Sequence, residues 1–209
     1  MKKTAKKLLW KIFSQSGELD FHKNNKWRQS ADFMKQTDYL FRLFGYQPDS
    51  FKDKFVIDIG SGSKLRSKFF TGSKIIAIEP LADSFVKELS WSDLKDAHKF
   101  FSSPAEEFHN ELSGTGDFVM CINVLDHVID PEDIFSNCQR YLKNGGEFLL
   151  SVDFHKGLDL MHPVKLNEEY INKMAQKYKF TLSRKHDGLG SYGKCYGKGT
   201  AHTYIFKKS

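Results

Sequence analysis

The sequence lacks the features that would place it in a membrane or among disulfide-rich secreted proteins. No apolar run approaches the roughly eighteen residues that a membrane-spanning helix needs. Only three cysteines occur, which is an odd number, and they do not have the paired spacing of zinc ligands. We therefore expect reduced thiols, a cytoplasmic location and no metal site.

The chain also lacks a net charge once its first 30 residues are set aside. The 209 residues carry a net charge of +6, and residues 1–30 alone contain eight Lys or Arg against Glu18 and Asp20. The rest of the chain is therefore neutral. Because nucleic-acid enzymes usually carry basic surface around the cleft, we expect no nucleic-acid partner.

Residues 1–13 place their apolar side chains at helical spacing and most of their lysines on the other side. This pattern is typical of a cationic amphipathic helix. Lys11 interrupts the apolar run, so the segment is not expected to be a secretory signal. We favour a helix docked on its own domain or on a second subunit; peripheral contact with an anionic membrane surface is the alternative.

A second helix is predicted over residues 27–45, with Gly45 as its end. The sequence thus predicts an N-terminal part of helices, residues 1–53, and a main domain, residues 54–209. The oligomeric state is not predicted.

The main domain begins with the apolar run Phe55-Val56-Ile57, which ends at Asp58 and leads through Ile59 into Gly60-Ser61-Gly62. An unbroken apolar run that ends in a turn predicts a strand buried on both faces of a parallel sheet. Two glycines one residue apart allow a sharp turn and let a ligand approach bare backbone.

The next apolar run, residues 74–78, ends at Glu79, which lies 17 residues after Gly62. In a nucleotide-binding βαβ unit, a carboxylate at the end of the second strand accepts hydrogen bonds from ribose hydroxyls. The glycine turn and Glu79 together predict a nucleoside site.

The remaining apolar segments alternate with helical patterns through the fifth strand, residues 147–152. One of those helices is predicted to have Pro104 in its first turn, and the crossover at 63–70 is short. Two more strands, 180–185 and 201–207, form an antiparallel-looking hairpin. The fold class is therefore α/β: a Rossmann-like, doubly wound, seven-stranded, mostly parallel sheet with an antiparallel final strand in a three-layer α/β/α sandwich.

Three motifs in this order resemble a class I S-adenosylmethionine-dependent methyltransferase of the broad small-molecule type. They are Asp58-Ile-Gly-Ser-Gly62, Ile78-Glu79-Pro80 and the segment 121–131, Cys-Ile-Asn-Val-Leu-Asp-His-Val-Ile-Asp-Pro. The chain departs from the family at Lys64, where a third glycine is frequent. It also has no Asn-Pro-Pro-aromatic phrase, which disfavours a nucleobase substrate.

The resemblance implies S-adenosylmethionine as cofactor and a set of residues around it. The glycine turn would pass under the methionine part, Glu79 would bind the ribose, and two segments would flank the adenine. Asp58 would fix the glycine loop or reach the cofactor's amine. The implied cofactor-binding residues are Asp58, Gly60, Ser61, Gly62, Glu79, Pro80, Leu81, Ser103, Pro104, Ala105, Asn123 and Val124.

Fewer sequence features point to the residues that would bind the methyl acceptor. His127 follows the fourth strand and is the candidate catalytic residue, either as a general base or as a brace for its loop. His155 and His162 could face the acceptor or be ordinary loop residues. Arg28, beside Trp27, could pair with the cofactor's carboxylate or be a solvated charge. The glycine-rich loop 187–200, with Tyr192, Lys194, Cys195 and Tyr196, could cover the acceptor or be a hairpin tip.

The sequence therefore predicts methyl transfer to a small-molecule acceptor, with oxygen the favoured acceptor atom. Two alternatives stay open. One is a nicotinamide-dependent oxidoreductase, which is disfavoured because Leu65 stands where a dinucleotide fingerprint has Gly or Ala. The other is a non-catalytic scaffold that retains the fold.

Overall fold

The computed structural model describes residues 17–157, 162–188 and 199–209. The predictions for the amphipathic segment 1–13 and for Tyr192, Lys194, Cys195 and Tyr196 lie outside these residues.

The described residues contain helical segments on both sides of one seven-stranded sheet. The helices are residues 17–24 (α1), Ala31–Leu43 (α2), Ala82–Glu88 (α3), Pro131–Tyr141 (α4) and Glu168–Lys177 (α5). The strands are Phe55–Ile59 (β1), Lys74–Ile78 (β2), Lys99–Phe101 (β3), Gly116–Ile122 (β4), Leu142–His155 (β5), Phe180–Asp187 (β6) and Gly199–Lys208 (β7).

The sheet has the order β3-β2-β1-β4-β5-β7-β6. Strands β1 to β5 pair in parallel, whereas β7 is antiparallel to both β5 and β6. The order reverses between β1 and β4, and the crevice above such a reversal is where open α/β sheets bind ligands. The predicted fold class is confirmed.

Both faces of β1 are buried, as its unbroken apolar run predicts. Val56 packs into the cluster that includes Leu40 and Phe41 of α2, whereas Ile57 packs on the other face with Ile134 of α4. This alternation follows from the two-residue period of a strand. The core therefore holds the glycine turn after β1 in a fixed place, with a helix layer on each side.

Two crossovers differ from the predicted alternation of strands and α-helices. The short segment after Gly62 forms only a 3₁₀ turn, Arg66–Phe69, and the expected helix after Pro104 is replaced by turns and one 3₁₀ turn, Asn110–Leu112.

The loop that contains Pro104 is held by side chains of α4 instead of by its own helical bonds. The Asn137 side-chain amide donates to the Ala105 carbonyl over 3.0 Å, and the Tyr141 hydroxyl accepts from the His109 amide over 3.1 Å. Because these partners satisfy the loop's backbone, a helix is not needed there.

Helix ends follow the sequence signals more closely. Residue Gly45, just beyond α2, has a φ of +82°, the left-handed conformation that stops a helix. The Asn167 side chain accepts from the Tyr170 amide and caps α5. Among the described residues, no helix is both long and apolar enough to cross a membrane.

Candidate cofactor and acceptor site

A cavity of about 520 Å³ lies at the carboxyl ends of β1, β2, β4 and β5. It brings together nearly all residues that the sequence predicts for cofactor binding, together with the predicted catalytic histidine. Those lining it are Gly60, Ser61, Gly62, Glu79, Pro80, Leu81, Pro104, Ala105, Asn123, Val124 and His127.

The glycine turn is built so that side chains are excluded from it. Gly60 and Gly62 have φ values of +64° and +65°. A Cβ atom at Gly60 would lie 2.2 Å from Cγ2 of Val124, and one at Gly62 would lie 3.2 Å from Cε1 of His22. The turn therefore presents backbone to the cavity, as the spacing of the glycines predicts.

Glu79 connects the end of β2 to this turn. Its carboxylate accepts from the Gly62 amide over 2.9 Å and from the Leu81 amide over 3.0 Å. Burial raises the pKa of Glu79 to about 7, although the two amides favour the ionised form. Each oxygen accepts one amide in this arrangement, and an ionised carboxylate has room to accept more donors.

Two predicted cofactor residues do not line the cavity. Asp58 is buried and accepts from the Ser67 hydroxyl over 2.7 Å, and burial raises its pKa to about 6. The Ser103 hydroxyl is 2.7 Å from Nε2 of His109. For Asp58 these contacts favour the predicted alternative of fixing the loop, because Ser67 belongs to the 3₁₀ turn that follows the glycines.

Lys64 replaces the third glycine that is frequent in the family, and the structure gives it a contact of its own. Its ammonium group donates to the Trp91 carbonyl over 3.0 Å, while the Leu65 amide donates to the Asp93 carboxylate over 2.7 Å. These bonds tie the segment after Gly62 to the loop that follows α3.

Residues of α1 and of the turn after it cover the glycine loop. Nδ1 of His22 is 2.7 Å from the Ser63 hydroxyl, and its ring stacks on Phe85 with 4.5 Å between centroids. Burial lowers the pKa of His22, so the ring favours the neutral form despite its contact with Glu18.

Arg28 is buried, which contradicts the alternative of a solvated surface charge. The Asn25 side chain accepts from its amide and caps the 3₁₀ turn Lys26–Gln29, and the guanidinium lies 5.1 Å from the Phe33 ring centroid. Arg28 and Trp27 both line the cavity.

Sequence reasoning missed Glu18, Phe21 and His22, which all line the cavity. In the sequence these three residues have only the i, i+3 and i+4 spacing of one helical face. This spacing does not predict a binding site, because nothing in the sequence shows that this face meets the glycine turn.

The acceptor side of the cavity carries a group of histidines. Nε2 of His127 is 3.4 Å from the Asn123 side-chain amide and 3.7 Å from Oδ2 of Asp126. Nε2 of His155 is 2.9 Å from the same Asp126 oxygen, and the His155 and His162 ring centroids are 3.8 Å apart. All three histidines line the cavity, so the structure brings together residues that the sequence separates by up to 35 positions.

At Asn123 the chain leaves β4 and turns toward the group of histidines. It has a φ of +56°, unusual for a residue other than glycine, at the end of β4. Positions with such backbone strain are concentrated at functional sites.

The cavity fits an adenosyl cofactor by its own chemistry. The turn is closed to side chains at Gly60 and Gly62, and the ionisable Glu79 faces the cavity beside it. Ser61 supplies a buried hydroxyl that, within the described residues, has no hydrogen-bond partner. A buried polar atom of this kind is costly unless a ligand or water satisfies it.

The fold and the site are those of the class I S-adenosylmethionine-dependent methyltransferases. A family model described as a methyltransferase domain matches residues 27–186, and the chain belongs to this family. The family's cofactor is S-adenosylmethionine, as the resemblance predicts. The nicotinamide alternative finds no support in this match.

Among curated proteins, the chain is similar to enzymes named ubiquinone biosynthesis O-methyltransferase. It is 31% identical over 104 residues to the one from Pseudomonas paraeruginosa, covering 47% of this chain and 44% of that protein. The identity is 34% over 100 residues to the one from Xanthomonas oryzae pv. oryzae, covering 46% and 41%. The chain thus spans less than half the length of these relatives.

Solved structures share the fold at low identity. A 1,6-didemethyltoxoflavin-N1-methyltransferase from Burkholderia thailandensis, crystallised with S-adenosylhomocysteine, has a TM-score of 0.63 at 16% identity, covering 100% of this chain and 89% of that one. A putative sarcosine dimethylglycine methyltransferase from Galdieria sulphuraria has a TM-score of 0.67 at 14% identity, covering 84% and 86%. The [4+2]-cyclase SpnF has a TM-score of 0.63 at 14% identity, covering 82% and 80%. Because one of these is named a cyclase, the fold alone does not define the reaction.

Proposed function

We propose that the chain transfers a methyl group from S-adenosylmethionine to an oxygen atom of a small-molecule acceptor. The observation that carries this proposal is a single cavity lined both by Glu79 with the glycine turn and by His127, His155 and His162. The names of the curated relatives support oxygen as the acceptor atom.

The chain's own residues would divide the work between two ends of the cavity. Ionised Glu79 would accept hydrogen bonds from the ribose hydroxyls, and the glycines would allow close backbone approach. Pro80, Leu81, Pro104 and Ala105 would flank the adenine. The bound cofactor supplies an activated methyl group on a sulfonium with a neutral leaving group. Catalysis then depends mainly on alignment and on exclusion of water.

A hydroxyl acceptor must also lose its proton. His127 lines the cavity and is half-buried, so it would accept that proton from the acceptor as a general base. The predicted alternative, a brace, is supported by its contact with Asn123. The activity of a His127→Gln variant separates the two roles. If His127 is a brace, glutamine keeps its hydrogen bond and the variant retains turnover. If His127 is the general base, the variant loses turnover.

We also infer a cytoplasmic location and an acceptor other than nucleic acid. Cys121 and Cys138 are buried free thiols, as expected in a reducing compartment. The net positive charge of the chain arises within its first 30 positions.

The test is transfer of labelled methyl from S-adenosylmethionine to a panel of phenols, vicinal diols, amines and RNA, analysed by mass spectrometry. The proposal predicts label on hydroxylated compounds only. Labelling confined to amines or to RNA would contradict it.

A further inference from the structure

On the acceptor side, the cavity-lining residues His127 and His162 lie close to the buried carboxylate of Asp126. One ligand atom from each of Asp126, His127 and His162 can be chosen so that all lie within 4.8 Å of one another. The prediction of no metal site rests on the spacing of the cysteines alone, and this cluster contains no cysteine.

The carboxylate in this cluster is incompletely satisfied. Asp126 is 1% exposed, and its Oδ2 atom contacts Nε2 of His155 at 2.9 Å. Its Oδ1 atom has no hydrogen-bond partner among the described residues. An unpartnered oxygen on a buried, ionisable group is expensive unless a cation or another donor occupies the space beside it.

From this geometry we propose that Asp126, His127 and His162 bind a divalent first-row transition-metal ion that holds the acceptor oxygen. His155 lies outside this set and orients Asp126 through Oδ2. Metal-binding carboxylates are typically hydrogen-bonded in this way by a second layer of residues.

The ligand types favour particular cations. Two imidazoles and one carboxylate suit Zn²⁺, Fe²⁺, Co²⁺ or Mn²⁺ better than Ca²⁺ or Mg²⁺, which prefer oxygen ligands. Ligands held at about 2.1 Å in a tetrahedral site are roughly 3.4 Å apart. Small side-chain rotations would therefore close the cluster around an ion, and three protein ligands leave a position open for substrate.

The position of the cluster gives the ion a role in the proposed reaction, and this part of the inference rests on the proposed function. His155 ends β5 and Glu79 follows β2, with β1 and β4 between them. Three strand spacings correspond to roughly 14 Å. The ion would therefore lie away from the ribose end of the cavity, on the acceptor side.

The step balances without any further reactant. The acceptor hydroxyl binds the ion and releases its proton to solvent, because a bound cation makes an oxygen ligand more acidic. The oxygen then forms a bond to the methyl carbon as the carbon–sulfur bond breaks. The products are the methyl ether, neutral S-adenosylhomocysteine and one proton. With the ion bound, His127 is a ligand and the ion promotes the loss of the proton; His127 acts as the general base proposed above only where no ion is bound.

The test uses the full chain without an affinity tag, stripped with EDTA and titrated with Co²⁺ while its visible absorption is recorded. The inference predicts one bound ion per chain with ligand-field bands from imidazole and carboxylate. Asp126→Asn and His162→Ala should each weaken binding about tenfold or more. His186→Ala, an exposed histidine on β6, is the matched control and should bind as the wild type does.

Two further measurements, S-adenosylhomocysteine binding and turnover in EDTA, distinguish failure of the metal site from failure of the proposed function. Binding of S-adenosylhomocysteine is measured on each variant, and a variant that retains it is folded around the cavity. Absence of Co²⁺ binding, or binding equal in all variants, would overturn the metal site. Turnover on hydroxyl acceptors that persists in EDTA would overturn its role and leave the proposed function standing. Co²⁺ binding without any hydroxyl methylation would overturn the function and leave the site standing.

Discussion

Among the glycines that the structure describes, Gly60 is the one at which an added Cβ atom would meet the nearest neighbour. Gly60 and Gly114 share a φ of +64°, but a Cβ at Gly114 meets nothing within 4 Å, whereas one at Gly60 would overlap Val124. A comparison of substitutions at Gly60 and Gly114 therefore separates the effect of backbone strain, which both positions share, from that of steric overlap, which only Gly60 has.

We expect Gly60→Ala to lower the free energy of unfolding by about 1–3 kcal/mol more than Gly114→Ala does, because overpacking adds to the shared strain. Urea denaturation of both variants measures the difference. Adding Val124→Ala to Gly60→Ala should recover most of it. Equal losses in the two glycine variants would show that Val124 does not fill the space above Gly60.

Glu79 predicts a pH dependence of stability with a definite sign. Its pKa is about 7 in the folded chain, against an ordinary value of 4.5. Between these values the folded state keeps a proton that the unfolded chain has released. The free energy of unfolding therefore falls as the pH rises through this window, by roughly 3 kcal/mol at most, and is level above it.

Glu79→Gln should abolish this part of the slope, although it also loses an acceptor for one amide. The measurement is denaturation of both proteins from pH 5 to pH 8. Binding of S-adenosylhomocysteine to the wild type should instead strengthen as the pH rises through about 7, since the ionised carboxylate is the better acceptor. Parallel stability curves for the two proteins would contradict the raised pKa.

At the scale of elements, α1 has both buried and exposed contacts: His22 reaches the glycine loop and stacks on Phe85 of α3, and a surface ion pair also joins α1 to α3. His22 meets the Ser63 hydroxyl in the interior, whereas Lys23 and Glu88 form an ion pair at the surface. Buried and exposed contacts of the same helix should differ greatly in their effect on stability.

Ser63→Ala leaves Nδ1 of the buried His22 without that partner, and we expect a loss of about 1–3 kcal/mol in the free energy of unfolding. Lys23→Ala should have no measurable effect, because solvent screens an exposed pair. Thermal unfolding compares the two variants. A larger loss for Lys23→Ala would mean that α1 is held by its surface contacts.

A helix or strand is predicted well from the sequence when the interactions that form it are between residues close together in the chain. The strand at β1 is correctly predicted because an apolar run that ends in glycines is a local signal. The helix expected after Pro104 is wrong, because Asn137 and Tyr141, distant in sequence, satisfy that loop's backbone.

The same reasoning applies to the site. The residues predicted to surround the cofactor come from motifs with fixed spacing, and nearly all of them line the cavity. The meeting of His22 with Ser63, and of Asp126 with His162, depends on how the layers pack, which no short segment encodes.

At the scale of the whole molecule, the sheet brings the ends of four strands to one cavity, and the account depends on an adenosyl group binding there. Isothermal titration of S-adenosylhomocysteine at pH 8 into the wild type, Glu79→Ala and Glu88→Ala tests this most directly. Glu88 is a partly exposed glutamate on α3 and serves as the control. We predict equal binding by the wild type and Glu88→Ala, binding at least about tenfold weaker by Glu79→Ala, and no binding of NADH. Unchanged affinity in Glu79→Ala, or binding of NADH in place of S-adenosylhomocysteine, would contradict the account.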